Sequence, residues 1–162
     1  FTFSYLTNDH IRMIIGLMAI IFCLDYYFRK DSDKPKKPSK FASYFWPSLS
    51  GFTSFSIHAG GLPLSFYLLP MRLDRTMYVA TAGLFYLLIN LFKIFPYAYL
   101  GEMNFENIYT SLLLLPLAPL GVYFGAYLVD KIGQDWFYKI GYFCTLLAGC
   151  KLFYDGSIKL FL

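Results

Sequence analysis

A short polar segment near the middle of the chain combines residue types that could bind or move a ligand. Residues 51–63 have the sequence GFTSFSIHAGGLP. Gly60 and Gly61 can adopt backbone angles that other residues avoid, so they can end a helix. Pro63 favours the first turn of a new helix, where the amide hydrogen that it lacks would have no partner. The pattern predicts two helices separated by a break at the glycines.

A helix that starts at this break would present an anion-binding end. Its first N–H groups have no acceptor within the helix, and the helix dipole adds positive charge there. Hydroxyl and imidazole donors lie nearby, and a threonine in the following apolar segment could face the same cavity. The predicted substrate-binding residues are Thr53, Ser56, His58, Gly60, Gly61, Pro63 and Thr81.

A structural role is the alternative explanation for the same residues. Glycines also permit close packing of helices, and Ser or Thr hydroxyls often bond to carbonyls of their own helix. Thr81 could equally form a hydrogen bond between helices. His58 could hold an anion when protonated, relay a proton, or bond in its neutral form to a backbone carbonyl.

The elements that must position this segment are apolar helices. Of the residues, 57% are apolar and 15% are charged, whereas soluble domains have about 25% charged residues. A membrane span needs about 20 apolar residues. The windows near that length are residues 11–28, 76–97, 108–129 and 137–154. The sequence therefore predicts an all-α, polytopic membrane helical bundle.

The basic loops predict how the chain is threaded through the membrane. Residues 29–40 (RKDSDKPKKPSK), 71–75 and 130–139 carry most of the Lys and Arg residues, and such loops stay on the cytoplasmic side. Residues 41–70 must then enter and leave on the same side. About 30 residues are too few for two crossings, so we predict a re-entrant hairpin of two half-helices. Non-helical backbone at that depth must be buried in protein or line a water-filled cavity.

The rest of the composition argues against other classes of function. The net charge of +4 comes mostly from these loops and forms no basic, aromatic surface for nucleic acid. The three cysteines lie in apolar windows without the spacing of metal ligands, so no metal or cofactor is expected. No second histidine and no carboxylate pair accompanies His58 at membrane depth, which disfavours an enzyme. A structural or assembly subunit stays open as an alternative to a transporter.

These residues also resemble a known family. Residues 51–101, beginning GFTSFSIHAGGLPLSFYLLP, resemble the TauE/SafE family of sulfite exporters and related permeases. The segments SLLLLPLAPLGVYFGAYLVDKI and GYFCTLLAGCKLFYDG are similar to the closing spans of that family. The run HAGGLP, followed by YLLP and a basic turn, is the most specific part. Leu62 stands where other members often have a third glycine or a second proline.

The resemblance implies a secondary transporter for a small anion such as sulfite, a sulfonate or a related organosulfur compound, in the bacterial inner membrane. Members are built from two related halves. Residues 1–28 would be the last span of the first repeat, residues 29–40 a cytoplasmic linker, and residues 41–162 the second repeat, inverted relative to the first. The particular anion, the direction of transport, coupling to protons and assembly into a homo-oligomer stay open.

Overall fold

The computed structural model describes residues 7–29, 34–99, 101 and 105–161, and within these ranges the chain is helical without strands. A 3-10 turn at Leu69–Met71 follows the third helix. The α-helices are α1 (Asn8–Phe28), α2 (Lys40–Ile57), α3 (Gly61–Leu68), α4 (Arg75–Tyr99), α5 (Phe105–Leu114), α6 (Leu117–Lys131) and α7 (Gln134–Phe161). The all-α prediction is confirmed.

Two of the described helices, α1 with 21 residues and α4 with 25, are long and apolar enough to cross a membrane. The predicted span over residues 108–129 corresponds to the two shorter helices α5 and α6. They are separated by a tight turn at Leu115 and Pro116, in which the N–H of Leu115 bonds to the carbonyl of Leu112 at 3.3 Å. The turn arises here because proline cannot supply the amide that a continuous helix requires. The predicted window 137–154 lies inside α7.

The chain forms two compact units, of which the first contains residues 1–73 and 138–162. In this unit α1 packs closely against the second part of α7. A Cβ atom at Gly16 would lie 2.5 Å from the backbone nitrogen of Phe153, and one at Gly149 would lie 2.6 Å from the Cβ atom of Ala19. Small residues at these positions let the two helix backbones approach each other, as is typical of helix pairs in membranes.

The core of the first unit joins α1 to the helix pair α2–α3. Its buried side chains come from one face of α1 and from both sides of the break between α2 and α3. They are Ile11, Ile15, Ala19, Ile57, Leu62 and Phe66. Because Ile57 and Leu62 flank the break, this core fixes the break against α1.

The second unit contains residues 74–137. The side chain of Asp74 caps α4 by accepting from the N–H of Thr76 at 2.9 Å, and the side-chain oxygen of Gln134 accepts from the N–H of Arg75 at 3.0 Å. No residue of α4 or α6 is buried within the described chain. Apolar helices with exposed faces are expected where lipid or further protein covers them.

Candidate functional site

The break between α2 and α3 is a left-handed turn at a histidine. His58, which follows the last residue of α2, has φ 55° and ψ 27°. The N–H groups of His58 and Ala59 both donate to the carbonyl of Thr53, the latter at 3.2 Å. Gly60 has ordinary helical angles, with φ −62°. The expectation that the glycines adopt the unusual angles was therefore wrong for Gly60 and also for Gly61, which is the first residue of α3 and has no positive φ. The strained residue is His58.

Gly60 is required for a different reason, which is the close approach of the two helices. A Cβ atom at Gly60 would lie 2.6 Å from the Cβ of Ser54 and 2.7 Å from the carbonyl oxygen of Ser50. The hydroxyl of Ser50, which is fully buried, donates to the carbonyl of Gly60 at 2.6 Å. The start of α3 is thus packed and hydrogen-bonded directly onto α2.

The first turn of α3 has the composition expected of an anion-binding helix end. Gly60 precedes the helix, and its carbonyl accepts the N–H of Leu64 at 3.3 Å. Pro63 is the third helical residue and has no N–H group. The amides of Gly61 and Leu62 therefore remain as the first-turn donors that have no acceptor within α3, and Gly61 is exposed.

Two of the hydroxyl groups near the break bond to their own helices. Thr53 is fully buried and donates to the carbonyl of Leu49 at 2.8 Å, and Ser65 donates to the carbonyl of Gly61 at 2.8 Å. This is the local bonding pattern that competes with ligand binding by such residues. It makes Thr53 a support for the break rather than a group at its surface.

The remaining predicted residues differ in accessibility and location. At the break, His58 is exposed and Ser56 is half-buried, whereas Gly60 and Pro63 are buried. The accessible surface is therefore formed by Ser56, His58 and the N-terminal end of α3. Thr81 is exposed on α4 and belongs to the second unit.

The two ends of the α2–α3 pair lie side by side. The N–H of Lys36, just before α2, donates to the carbonyl of Pro70 at 2.9 Å. The hydroxyl of Tyr67 donates to that of Ser43 at 3.3 Å. The chain thus enters and leaves the helix pair at one end, which we call its base. The break lies at the opposite end, which we call its tip.

Arg72 anchors the base of the α2–α3 pair to the neighbouring helices. It is the second non-glycine residue with positive φ in the described chain, at 50°. Its guanidinium donates to the hydroxyl of Tyr26 at 3.1 Å and lies 4.8 Å from the ring centre of Tyr138. Tyr138 is fully buried and donates to the carbonyl of Leu73 at 2.7 Å. The base is therefore tied to α1 and to α7.

Sequence reasoning missed three of these residues, Ser50, Arg72 and Tyr138. A signal for Ser50 was present, because Ser43, Ser50 and Ser54 recur at helical spacing and so share one face of α2. That face is the one that meets the returning segment. Nothing local in the sequence connects Arg72 to Tyr138.

Long apolar helices combined with a helix interrupted partway are the construction of membrane transporters, which bind substrates at such interruptions. The chain belongs to the sulfite exporter TauE/SafE family, whose sequence profile matches residues 1–152 of the 162 residues. The family consists of membrane transporters rather than enzymes. No curated protein and no solved structure matches the chain significantly.

Proposed function

We propose that this chain forms half of a secondary permease that moves a small oxyanion, namely sulfite, a sulfonate or a related organosulfur anion, and that the anion binds at the break between α2 and α3. The observation that carries the proposal is the position of the N-terminal end of α3. It lies at the tip of a helix pair whose two ends are joined by the Lys36–Pro70 hydrogen bond.

The length of the returning segment supports a re-entrant hairpin. From Gly61 to Met71 the chain forms an α-helix and then a 3-10 turn, which together rise about 18 Å. If the base lies at the membrane surface, the tip reaches about the middle of a hydrocarbon core of about 30 Å. A turn back at that depth keeps the basic residues before α2 and after α3 on one side, which we propose is the cytoplasmic side of the bacterial inner membrane.

The chemistry of the tip suits an oxyanion. The amides of Gly61 and Leu62 point along the axis of α3, and the helix dipole adds about half a positive charge at that end. Hydrogen bonds from such donors to a charged acceptor contribute about 1.5–3 kcal/mol each. Ser56 and His58 lie within five residues of Gly61 in the sequence. Their hydroxyl and imidazole groups supply further donors.

His58 also suggests how transport is coupled to an energy source. A non-glycine residue in the left-handed region is strained, and such strain often accompanies a functional role. An imidazole side chain can bind and release a proton. We propose that His58 carries a proton together with the anion, and that the α2–α3 pair moves together with α1 and rocks against the rest of the permease to alternate access.

Transport by the reconstituted protein tests the proposal. Liposomes that contain the full-length permease, with both related halves present, and are loaded with radiolabelled sulfite or a radiolabelled sulfonate should release the label faster than protein-free liposomes. Thr81→Ala tests separately the predicted contact of the anion with Thr81, which lies in the second unit. If none of the anions leaves faster than from protein-free liposomes, the proposed function is wrong.

A further inference from the structure

The second unit contains a groove of about 570 Å³ between α4 and α6. The start of α4 contributes Thr76, Val79 and Ala80, and α6 contributes residues from Ala118 to Asp130. A Cβ atom at Gly121 or Gly125 would have no atom within 4 Å. The groove is therefore lined by the start of α4 and by most of α6, and the two glycines of α6 leave open space in it.

The length of the groove corresponds to one leaflet of a bilayer. The lining segment of α6 from Ala118 to Asp130 rises about 18 Å, and half of the hydrocarbon core is about 15 Å. Apart from Thr76 and Asp130, the lining consists of apolar residues and glycine. Since α4 begins and α6 ends at the same end of the groove, both polar residues lie at that end.

The charged groups at this polar end have both signs. Asp130 is exposed, and neither of the ion pairs in the described part of the chain, Asp9–Arg12 and Asp25–Arg29, includes it. The ammonium group of Lys131 lies 4.5 Å from the ring centre of Tyr127 and so is held on its own helix. Asp130 lines the mouth of the groove, and Lys131 is the next residue of α6. A carboxylate at the mouth with a cation beside it matches a headgroup that carries a phosphate and a hydrogen-bonding ammonium.

We propose that this groove binds one acyl chain of an ethanolamine phospholipid, with the lipid ammonium on Asp130 and the lipid phosphate near Lys131. The proposal requires only that the chain lies in a membrane and does not depend on which anion it transports. An ethanolamine ammonium can donate hydrogen bonds to a carboxylate, whereas a choline headgroup has no N–H to donate. The site therefore distinguishes these two headgroups when their acyl chains are identical.

Native mass spectrometry of the detergent-purified protein tests the site. The protein is mixed with the ethanolamine, choline or glycerol phospholipid of identical acyl chains, and the retained lipid is counted. We expect one ethanolamine lipid per chain, bound about three- to tenfold more tightly than the choline lipid. This ratio corresponds to about 0.7–1.4 kcal/mol, the range of one ordinary net hydrogen bond. Equal binding of all three lipids, or no retained lipid, would overturn the proposal.

Matched variants separate the groove from the headgroup contact. Gly125→Leu fills the groove and should abolish retention. Gly83→Leu is the control, because Gly83 is exposed on α4 outside the groove and its added side chain also meets open space. Asp130→Asn should keep a bound lipid but remove the preference for ethanolamine. If Gly125→Leu retains as much lipid as Gly83→Leu, the groove holds no lipid and the proposal fails. The proposal also fails if the only effect of Gly125→Leu is to dissociate a dimer, because the groove would then be filled by a second copy of the chain.

Discussion

Replacing Gly60 with alanine should disrupt the contact between α2 and α3 without changing the charge of the site. At φ −62° the backbone itself accepts alanine. The added Cβ atom would lie 2.6 Å from the Cβ of Ser54 and 2.7 Å from the carbonyl oxygen of Ser50. Neither neighbour can rotate away, because one is a first side-chain atom and the other belongs to the backbone. The two helices must therefore separate at the break.

The size of the effect follows from two contributions. Overpacking of a tight contact costs about 1–3 kcal/mol. Separation of the helices also weakens the buried hydrogen bond from Ser50 to the Gly60 carbonyl, which contributes about 1 kcal/mol. We therefore expect Gly60→Ala to lower the free energy of unfolding by about 2–4 kcal/mol.

The assay combines thermal unfolding in detergent with transport in liposomes, and the comparison variant is Gly83→Ala. A Cβ atom at Gly83 meets nothing within 4 Å, so that change should be neutral or stabilise α4 by up to about 1 kcal/mol. Gly60→Ala should unfold at a clearly lower temperature and transport more slowly at equal amounts of folded protein. If both variants behave like the unmodified protein, the packing of α3 onto α2 is not what holds the break.

Three further predictions concern the tip, its support and its base. His58→Gly should raise the unfolding temperature, because glycine adopts the left-handed turn without a strain of about 1–2 kcal/mol, yet it should flatten the pH dependence of transport, because glycine has no side chain that can carry the proton. Ser50→Ala should destabilise the protein by about 1 kcal/mol through loss of its buried hydrogen bond. Cysteines introduced at Lys37 and Met71, in a variant without the native cysteines, should react with a membrane-impermeant thiol reagent from the same side of the membrane.

Each of these predictions has its own control and contrary outcome. His58→Gln keeps a polar side chain in the strained turn, so it should share the altered pH profile but not the stabilisation; an unchanged profile in both variants would exclude proton coupling through His58. Ser65→Ala removes an accessible hydroxyl that donates to the carbonyl of Gly61 within α3, and it should cost less than Ser50→Ala. Labelling of positions 37 and 71 from opposite sides would contradict the re-entrant hairpin.

The position of the break could be predicted from the sequence, but the residue that forms it could not. Two adjacent glycines and Pro63 in an apolar region identify a place where a helix ends and another begins. Which residue adopts the left-handed angles depends on where the last turn of α2 stops, and that places His58 there. Gly60 is needed because of Ser54 and Ser50, a contact that appears only once the chain has folded back.

The residue types of the candidate site could be predicted from the sequence, but which of them are accessible to a ligand could not. Sequence patterns do not show whether a hydroxyl faces a ligand or its own helix, so Thr53 and Ser56 look equivalent before the structure separates a buried residue from a half-buried one. An aromatic residue close to a predicted loop, such as Tyr138, is typical of the membrane interface. In the structure Tyr138 is fully buried beside Arg72, 66 residues earlier in the chain, and no local pattern connects the two.

The structure holds the helix pair at both ends through the same neighbour. At the tip, Ile57 and Leu62 pack in the core formed with α1, and at the base Arg72 bonds to Tyr26 of α1. A displacement of α1 would therefore move the tip and the base together rather than bend the pair at its break. This matters for the proposed anion site, because the first-turn amides of α3 would bind an anion well only while their orientation stays fixed. A rigid hairpin that moves as one body can expose the same binding geometry to each side of the membrane in turn.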